Sequence, residues 1–242
     1  MHARTKNLAT RSSLSASTPR AELTLVVEAS TASASVAVLR GDALVQRLEC
    51  AMGVSREDAL FPTMQAALAL AGVGVSALSA IACGSGPGSF TSLRIAAAMA
   101  KGLAQATGVP LYAVPSLLLA AATHARTGQY VVHADALRGE RYAQAVTIDD
   151  ALRVHADSEV VRVTTAALES IAADRHRLVV LGSSLASSAS RVVPDAARLP
   201  NIFEWRERGQ VSLSTWEPAY GRLAEAQVKW EATHGRSLSV DE

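Results

Sequence analysis

The segment Gly84-Ser85-Gly86-Pro87-Gly88-Ser89-Phe90-Thr91 places three glycines and several hydroxyl residues directly after an apolar run and directly before an amphipathic stretch. Glycine lets the backbone adopt positive φ and lets another group approach the main chain closely. The N-terminus of a following helix offers free N–H groups and partial positive charge, and Ser89 and Thr91 are suited to cap it. The chemistry this combination suggests is a nucleotide or phosphate contact at Gly84, Gly86, Gly88, Ser89 and Thr91. A tight strand-to-helix connection that needs glycine for sterics alone fits the same spacing equally well. The segment is neither GxGxxG nor a lysine-bearing phosphate loop, so neither motif decides between the two.

Other residues capable of chemistry are scattered. The six histidines, at 2, 124, 133, 155, 176 and 234, contain no His-x-x-x-His pair, which is the spacing that sets two imidazoles on one helix face to hold a metal. No Ser/His/Asp spacing suggests an activated nucleophile. Asp135 and Glu140 are the one suggestive carboxylate pair, and a turn-stabilising role suits them. Cys50 and Cys83 cannot build a disulfide framework or a four-cysteine zinc site, and both read as small buried hydrophobes. No catalytic residue, metal ligand or cofactor is assigned.

The elements that must position the glycine-rich segment are legible in outline. Leu23 to Val27 reads as a buried strand, followed by Ser35 to Leu39, a turn at Arg40-Gly41-Asp42, and Ala43 to Cys50: an antiparallel meander. Glu57 to Ala71 reads as a helix with Leu60, Met64, Ala67 and Ala71 on one stripe, and Pro62 tolerated in its first turns. Ala80 to Cys83 is a strand and Leu93 to Thr107 a helix. On that helix Leu93, Ala96, Ala97, Ala100, Leu103 and Ala104 form the apolar stripe, and Arg94, Lys101 and Gln105 lie opposite. Ala98 and Gly102, four apart, permit close approach of another backbone. Leu111 to Val114 and Ser116 to Arg126 repeat strand and helix. The second half restarts with strands Tyr130 to Asp135 and Arg141 to Ile148 around Leu137-Arg138-Gly139. A helix at Thr164 to Ala173, a strand at Leu178 to Gly182, and helices at Ser183 to Arg191 and Ala219 to Ala232 follow. Mixed α/β with two stacked lobes is the fold class this order implies.

Composition narrows the function. Hydrophobic residues are 49% of the 242, charged residues only 19%, and aromatics 4%, while alanines number 47. Small residues therefore supply most of the apolar content, which suits close helix packing. The net charge of +1, from 23 bases and 22 acids, gives no global attraction to nucleic acid or anionic membrane. The first twenty residues carry Arg4, Lys6, Arg11 and Arg20 and no acid, and read as a disordered basic extension rather than a secretory signal. No apolar run is long enough to span a bilayer.

From Gly84 to Arg94 the chain resembles the GxGPGSFTGxR signature of the TsaB (YeaZ) family. Val27-Glu28-Ala29-Ser30-Thr31 with Ser35-Val36-Ala37 is similar to that family's opening LDTST…SVA. Lys101-Gly102-Leu103-Ala104, Val114-Pro115-Ser116-Leu117, the segment Asp135 to Tyr142 (DARRGEVY in the family) and Pro218-Ala219-Tyr220-Gly221-Arg222 follow in order, together covering about residues 22 to 222. The resemblance implies an actin-like ATPase (ASKHA) fold of two lobes, each a mixed sheet with helices. It places the lobes at 22–127 and 128–222, between an extension at 1–21 and a helix and tail at 223–242. It implies a cytoplasmic, non-catalytic subunit in the synthesis of N6-threonylcarbamoyladenosine (t6A) beside the tRNA anticodon. Such a subunit binds and activates a TsaD-type catalytic subunit, joins a TsaE-type ATPase, forms a homodimer when alone, and meets tRNA only through the complex.

Departures from the family pattern fit a non-catalytic role. Glu28 stands where the opening strand usually ends in Asp, Ser92 replaces a glycine of the signature, and Arg56-Glu57-Asp58 replaces a His-Ser-Glu helix start. These weaken Glu28 as a magnesium ligand and the glycine-rich segment as an ATP site. The partner surface expected from the resemblance is the first two helices, at Leu60, Phe61, Met64, Ala67, Leu68, Arg94, Ala98, Lys101 and Gly102. Burial of these residues between the lobes is the competing account, and a solvated face competes for Arg94 and Lys101. The alternatives are an enzyme acting alone, as a glycoprotease-type metallopeptidase or a nucleotide-dependent kinase, and direct tRNA binding through Arg94, Lys101, Arg138 and Arg141.

Overall fold

In a computed structural model the described residues are 22–52, 59–136, 138–173, 175–180, 190–207, 210–220 and 233. The extension at 1–21, the helix start at Glu57, the turn residue Leu137, the segment from Leu181 through Ala189 and the body of the final expected helix lie outside them.

The run LTLVVE forms β1 (Leu23–Glu28), buried along its whole length. A strand apolar on both faces belongs in the middle of a sheet, and β1 lies there. The first sheet has the order β3-β2-β1-β4-β5, with β2 (Ser33–Arg40), β3 (Ala43–Ala51), β4 (Ala80–Gly84) and β5 (Leu111–Val114). The meander β1-β2-β3 is antiparallel, whereas β1, β4 and β5 run parallel. Side-chain alternation divides the sheet's faces. Leu23, Leu25 and Val27 pack with α1 (Leu60–Leu70) and α2 (Phe90–Thr107), and Val26, Ala37 and Leu39 face the second half of the chain.

The second sheet has the order β11-β10-β6-β7-β8, with β9 also paired to β7. Its strands are β6 (Gly128–Asp135), β7 (Glu140–Ile148), β8 (Val154–Ala156), β9 (Val161–Thr164), β10 (His176–Val180) and β11 (Ser190–Val192). Between the sheets lies α3 (Ser116–His124), whose residues from Ser116 through Ala122 are all buried. A helix apolar all round has to be enclosed, and α3 shares one core with residues of both sheets. The outer face of the second sheet carries α4 (Thr165–Ile171), capped by the Thr164 hydroxyl, which accepts from Ala167 N. The 3-10 stretch Ala196–Asn201 ties the lobes together: Asp195 binds Arg47 of β3 at 2.9 Å, and Ala196 N donates to Ser35 Oγ at 2.9 Å. Two lobes, each a mixed sheet with helices, make the two-lobed α/β architecture expected from the order of strands and helices.

Several expectations need correction. The first helix starts at Leu60 in the described residues and α2 starts earlier than Leu93, at Phe90. Ser190 and Arg191, expected to end a helix, belong to β11 (Ser190–Val192), and Ala219 and Tyr220 are not helical. Cys83 is buried but Cys50, on edge strand β3, is only half-buried. The short strands β8 and β9 and the 3-10 stretch were not expected from the sequence.

Candidate functional site

The glycine-rich turn joins β4 to α2 and is closed by the protein's own atoms. A Cβ built on Gly84 lies 1.9 Å from Glu28 Oε2, so only glycine leaves room for that carboxyl group. The Glu28 carboxyl accepts from Ser30 N at 2.6 Å and from Ser116 Oγ at 2.8 Å. Ser116 Oγ in turn accepts from Gly86 N at 3.1 Å, and Ser116 N donates to Gly86 O at 2.9 Å. One carboxyl thus pins the end of β1, the turn and the start of α3. Glu28 is buried, and that burial pushes its carboxyl pKa up against the opposing pull of its bonds from Ser30, Ser116 and Ala29. Burial also pushes the neighbouring Cys83 thiol well up, with the Glu28 charge adding to it.

The other two glycines are closed in the same way. Gly86, at φ +85°, packs against the carbonyl of Ala219, which a Cβ would approach to 2.5 Å. Ala219 N donates to Ser85 O at 2.7 Å, so the segment 210–220 straps the turn from outside. At Gly88 a Cβ would lie 2.2 Å from Ser30 O, which accepts from Ser89 N at 2.8 Å. Ser89 occupies the cap position of α2, but its hydroxyl meets Ser92 Oγ at 3.0 Å and makes no side-chain cap bond; Thr91 is exposed in the first turn. Of the two readings of the turn, steric necessity accounts for all three glycines. Both Glu28 oxygens are engaged by Ser30 and Ser116, so the carboxyl is turned inward and not toward a solvent-borne ion. Among the described residues no group of three or more His, Cys, Asp or Glu is placed to hold a metal.

The residues expected on a partner face divide. Leu60, Met64, Ala67 and Leu68 are buried in the core against β2 and β3 and offer nothing to a partner. The reason is the helical period: Leu60, Met64, Ala67 and Leu68 share one stripe, and that stripe seals the sheet. Phe61, by contrast, is 47% exposed, and Leu70, another apolar residue outside the core stripe, is 66% exposed. Ala66 and Ala69 are exposed with them on α1. On α2, Arg94, Ala98 and Gly102 are exposed, and a Cβ on Gly102 would meet nothing within 4 Å. Arg94 lies over the Phe90 ring at 5.3 Å, Phe90 meets the Tyr220 ring at 4.8 Å, and half-buried Lys101 lies 5.7 Å from the Trp216 ring. The strap 210–220 therefore borders this face with aromatic side chains, which spacing within the helices gave no means of finding.

The second-lobe candidates are structural. Asp135 pairs with Arg141 at 2.6 Å rather than acting with Glu140, which meets Arg162 at 3.4 Å. Arg141 is buried, which removes it from any tRNA-facing set, whereas Arg138 is exposed in the turn. His133 is fully buried on β6, and among the described residues neither of its ring nitrogens has a hydrogen-bond partner. Burial pulls its pKa down to about 4, with Arg141 and Arg177 adding to the effect.

Comparisons with known proteins agree with this architecture. The family model described as TsaD, tRNA N6-adenosine threonylcarbamoyltransferase, matches residues 55–180. A tRNA threonylcarbamoyladenosine biosynthesis protein TsaB from Haemophilus influenzae is 34% identical over 99 residues, covering 38% of this chain and 39% of that relative's length. The solved structure of YeaZ from Pseudomonas aeruginosa superposes with a TM-score of 0.66 at 26% identity, covering 82% of this chain and 99% of the other. A second Pseudomonas aeruginosa structure, described as similar to peptidase YeaZ, gives 0.66 at 27% identity over 83% and 100%.

Proposed function

The chain belongs to the family of the TsaD threonylcarbamoyltransferase model, on its TsaB (YeaZ) side, and from that premise we propose that it is a non-catalytic subunit of the t6A machinery. It binds and activates a TsaD-type catalytic subunit, with a TsaE-type ATPase as a further partner, and reaches tRNA only through that complex in the cytoplasm. When alone it pairs with a second copy through the same face.

The observation that carries this reading is the outer face of α1 and α2. Phe61, Leu70, Ala66 and Ala69 are exposed on α1, and Ala98 and Gly102 are exposed on α2, so both helices leave small or apolar residues open to close helix approach. Arg94 and Lys101, held over aromatic rings, supply the polar edge. The closed glycine-rich turn supports the non-catalytic part, since Glu28 and the space beside its glycines are taken up by the protein's own atoms.

The test is co-expression with the host's TsaD-type and TsaE-type proteins, followed by size-exclusion chromatography and assay of tRNA modification. A complex that modifies tRNA and fails to do so when this chain is omitted is the expected result. Stoichiometric zinc or iron in the isolated chain, or micromolar Mg-ATP binding by it, overturns the reading in favour of an enzyme acting alone.

A further inference from the structure

On the side of the second lobe away from the glycine-rich turn, a cavity of about 290 Å³ opens where the end of α3 meets the starts of β6, β10 and β11. His124 comes from the last turn of α3, Arg126 and Thr127 from the α3–β6 connection, His176 from β10 and Ser190 from β11. Tyr130 forms its floor: it is 4% exposed and lies 4.8 Å from the His124 ring and 5.6 Å from the His176 ring. Its hydroxyl donates to Thr127 O at 3.3 Å.

Among the described residues no carboxylate lines this cavity. Among the described residues neither His124, Arg126 nor His176 pairs with an acid, and Arg177 at the edge is bonded to Glu169 of α4 at 2.6 Å. The C-terminal carbonyls of α3 favour one nearby cation, a role that Arg126 fills just past the helix end. His124 and His176 add two imidazoles, one from α3 and one from β10. Their mutual repulsion is felt: after burial, the charges of Arg126 and His176 are what hold the His124 pKa down. Basic groups gathered from three segments, together with two hydroxyls and an aromatic floor, give a recess whose polar groups suit an oxyanion.

We propose that this cavity binds the phosphate group of a small molecule, with Arg126 as its cationic contact, His124 and His176 as ring N–H donors, and Thr127 and Ser190 as hydroxyl contacts. Donors from several segments suit a tetrahedral oxyanion better than a planar carboxylate, and a recess floored by one ring suits a small ligand better than a polymer backbone. The site is separate from the helix face assigned to the partner.

The experiment titrates the full chain with inorganic phosphate and then pyrophosphate, following the ring signals of His124, His176 and Tyr130 by NMR. Saturable shifts confined to these rings are expected, with affinity falling roughly tenfold in Arg126→Ser and again in His176→Gln, as loss of a charge-assisted bond predicts. Arg126 and His176 are both exposed, so neither variant threatens the fold. Overturning results are an absence of saturable shifts, equal responses to chloride or acetate at matched ionic strength, affinity unchanged in both variants, or binding of a short RNA that phosphate fails to displace.

Discussion

The glycine-rich turn and the outer face of α1 and α2 lie a few residues apart in the chain and are opposites in their chemistry. The turn is polar, interior and satisfied. Glu28, Ser116, Ser30 and the backbone of Ala219 fill the spaces that its glycines leave. The helix face is apolar, exterior and unsatisfied, with Phe61 and Leu70 in solvent and open space above Gly102. A glycine can thus mean two things in neighbouring elements: room already taken by the protein, or room left for something else. The segment most suggestive of phosphate chemistry is the one that the fold has closed.

The comparison is broken most severely by adding one methyl group on each side. Gly84→Ala or Gly88→Ala forces a Cβ against Glu28 Oε2 or Ser30 O, both held by the surrounding fold. A loss of about 3–5 kcal/mol in chemical denaturation, or failure to fold, is expected. Gly102→Ala on the exposed helix stabilises by about 0.5–1 kcal/mol in the same measurement, while obstructing the partner. Equal effects at the two sites would contradict the contrast.

Removing the polar hub is the next largest change. Glu28→Ala strands the Ser116 hydroxyl and Ser30 N–H and opens a void, for a loss of about 3 kcal/mol. Glu28→Gln keeps the volume and an acceptor and is tolerated. The folded carboxyl pKa is raised, so its stabilising contribution is present below the ordinary carboxylate range and fades as pH rises through the folded value. Stability of the wild type relative to Glu28→Gln therefore falls as pH rises in urea titrations. A gap that widens in favour of the wild type would contradict this account of Glu28.

His133 sharpens the contrast from the second lobe, being as buried as Glu28 but without a hydrogen-bond partner among the described residues. Its pKa is lowered from 6.5 to about 4, so the unfolded chain binds the extra proton between those values. Stability present above pH 6.5 is lost as pH falls toward 4, by about 2–3 kcal/mol. His133→Phe flattens that part of the pH–stability curve; an unchanged slope would assign it to other groups.

Much of this was legible in sequence because it is local. The apolar run of β1, the turn after β2 and the strand–turn–helix around Gly84 declare themselves by periodicity and breakers. The ends of the second sheet did not, because β8, β9 and β11 are three- or four-residue strands whose pairing depends on β7 and β10 already being in place. The Glu28–Ser116 bond joins residues 88 apart, and the strap at Ala219 closes a turn more than a hundred residues earlier, so the filling of the turn is a tertiary fact. On α1 the apolar content runs almost all the way round. The sequence therefore presented Leu60, Met64, Ala67 and Leu68 alongside Phe61 as one surface, and only packing separates the face toward β2 and β3 from the face toward solvent.

The smallest effect on stability carries the central claim. Phe61→Asp with Leu70→Asp, both exposed, should change folding stability by no more than about 0.5 kcal/mol. Co-purification of this double variant with a tagged TsaD-type subunit is the direct measurement. The account predicts a folded protein that no longer co-purifies and no longer supports tRNA modification. A folded variant that still elutes in the complex contradicts it.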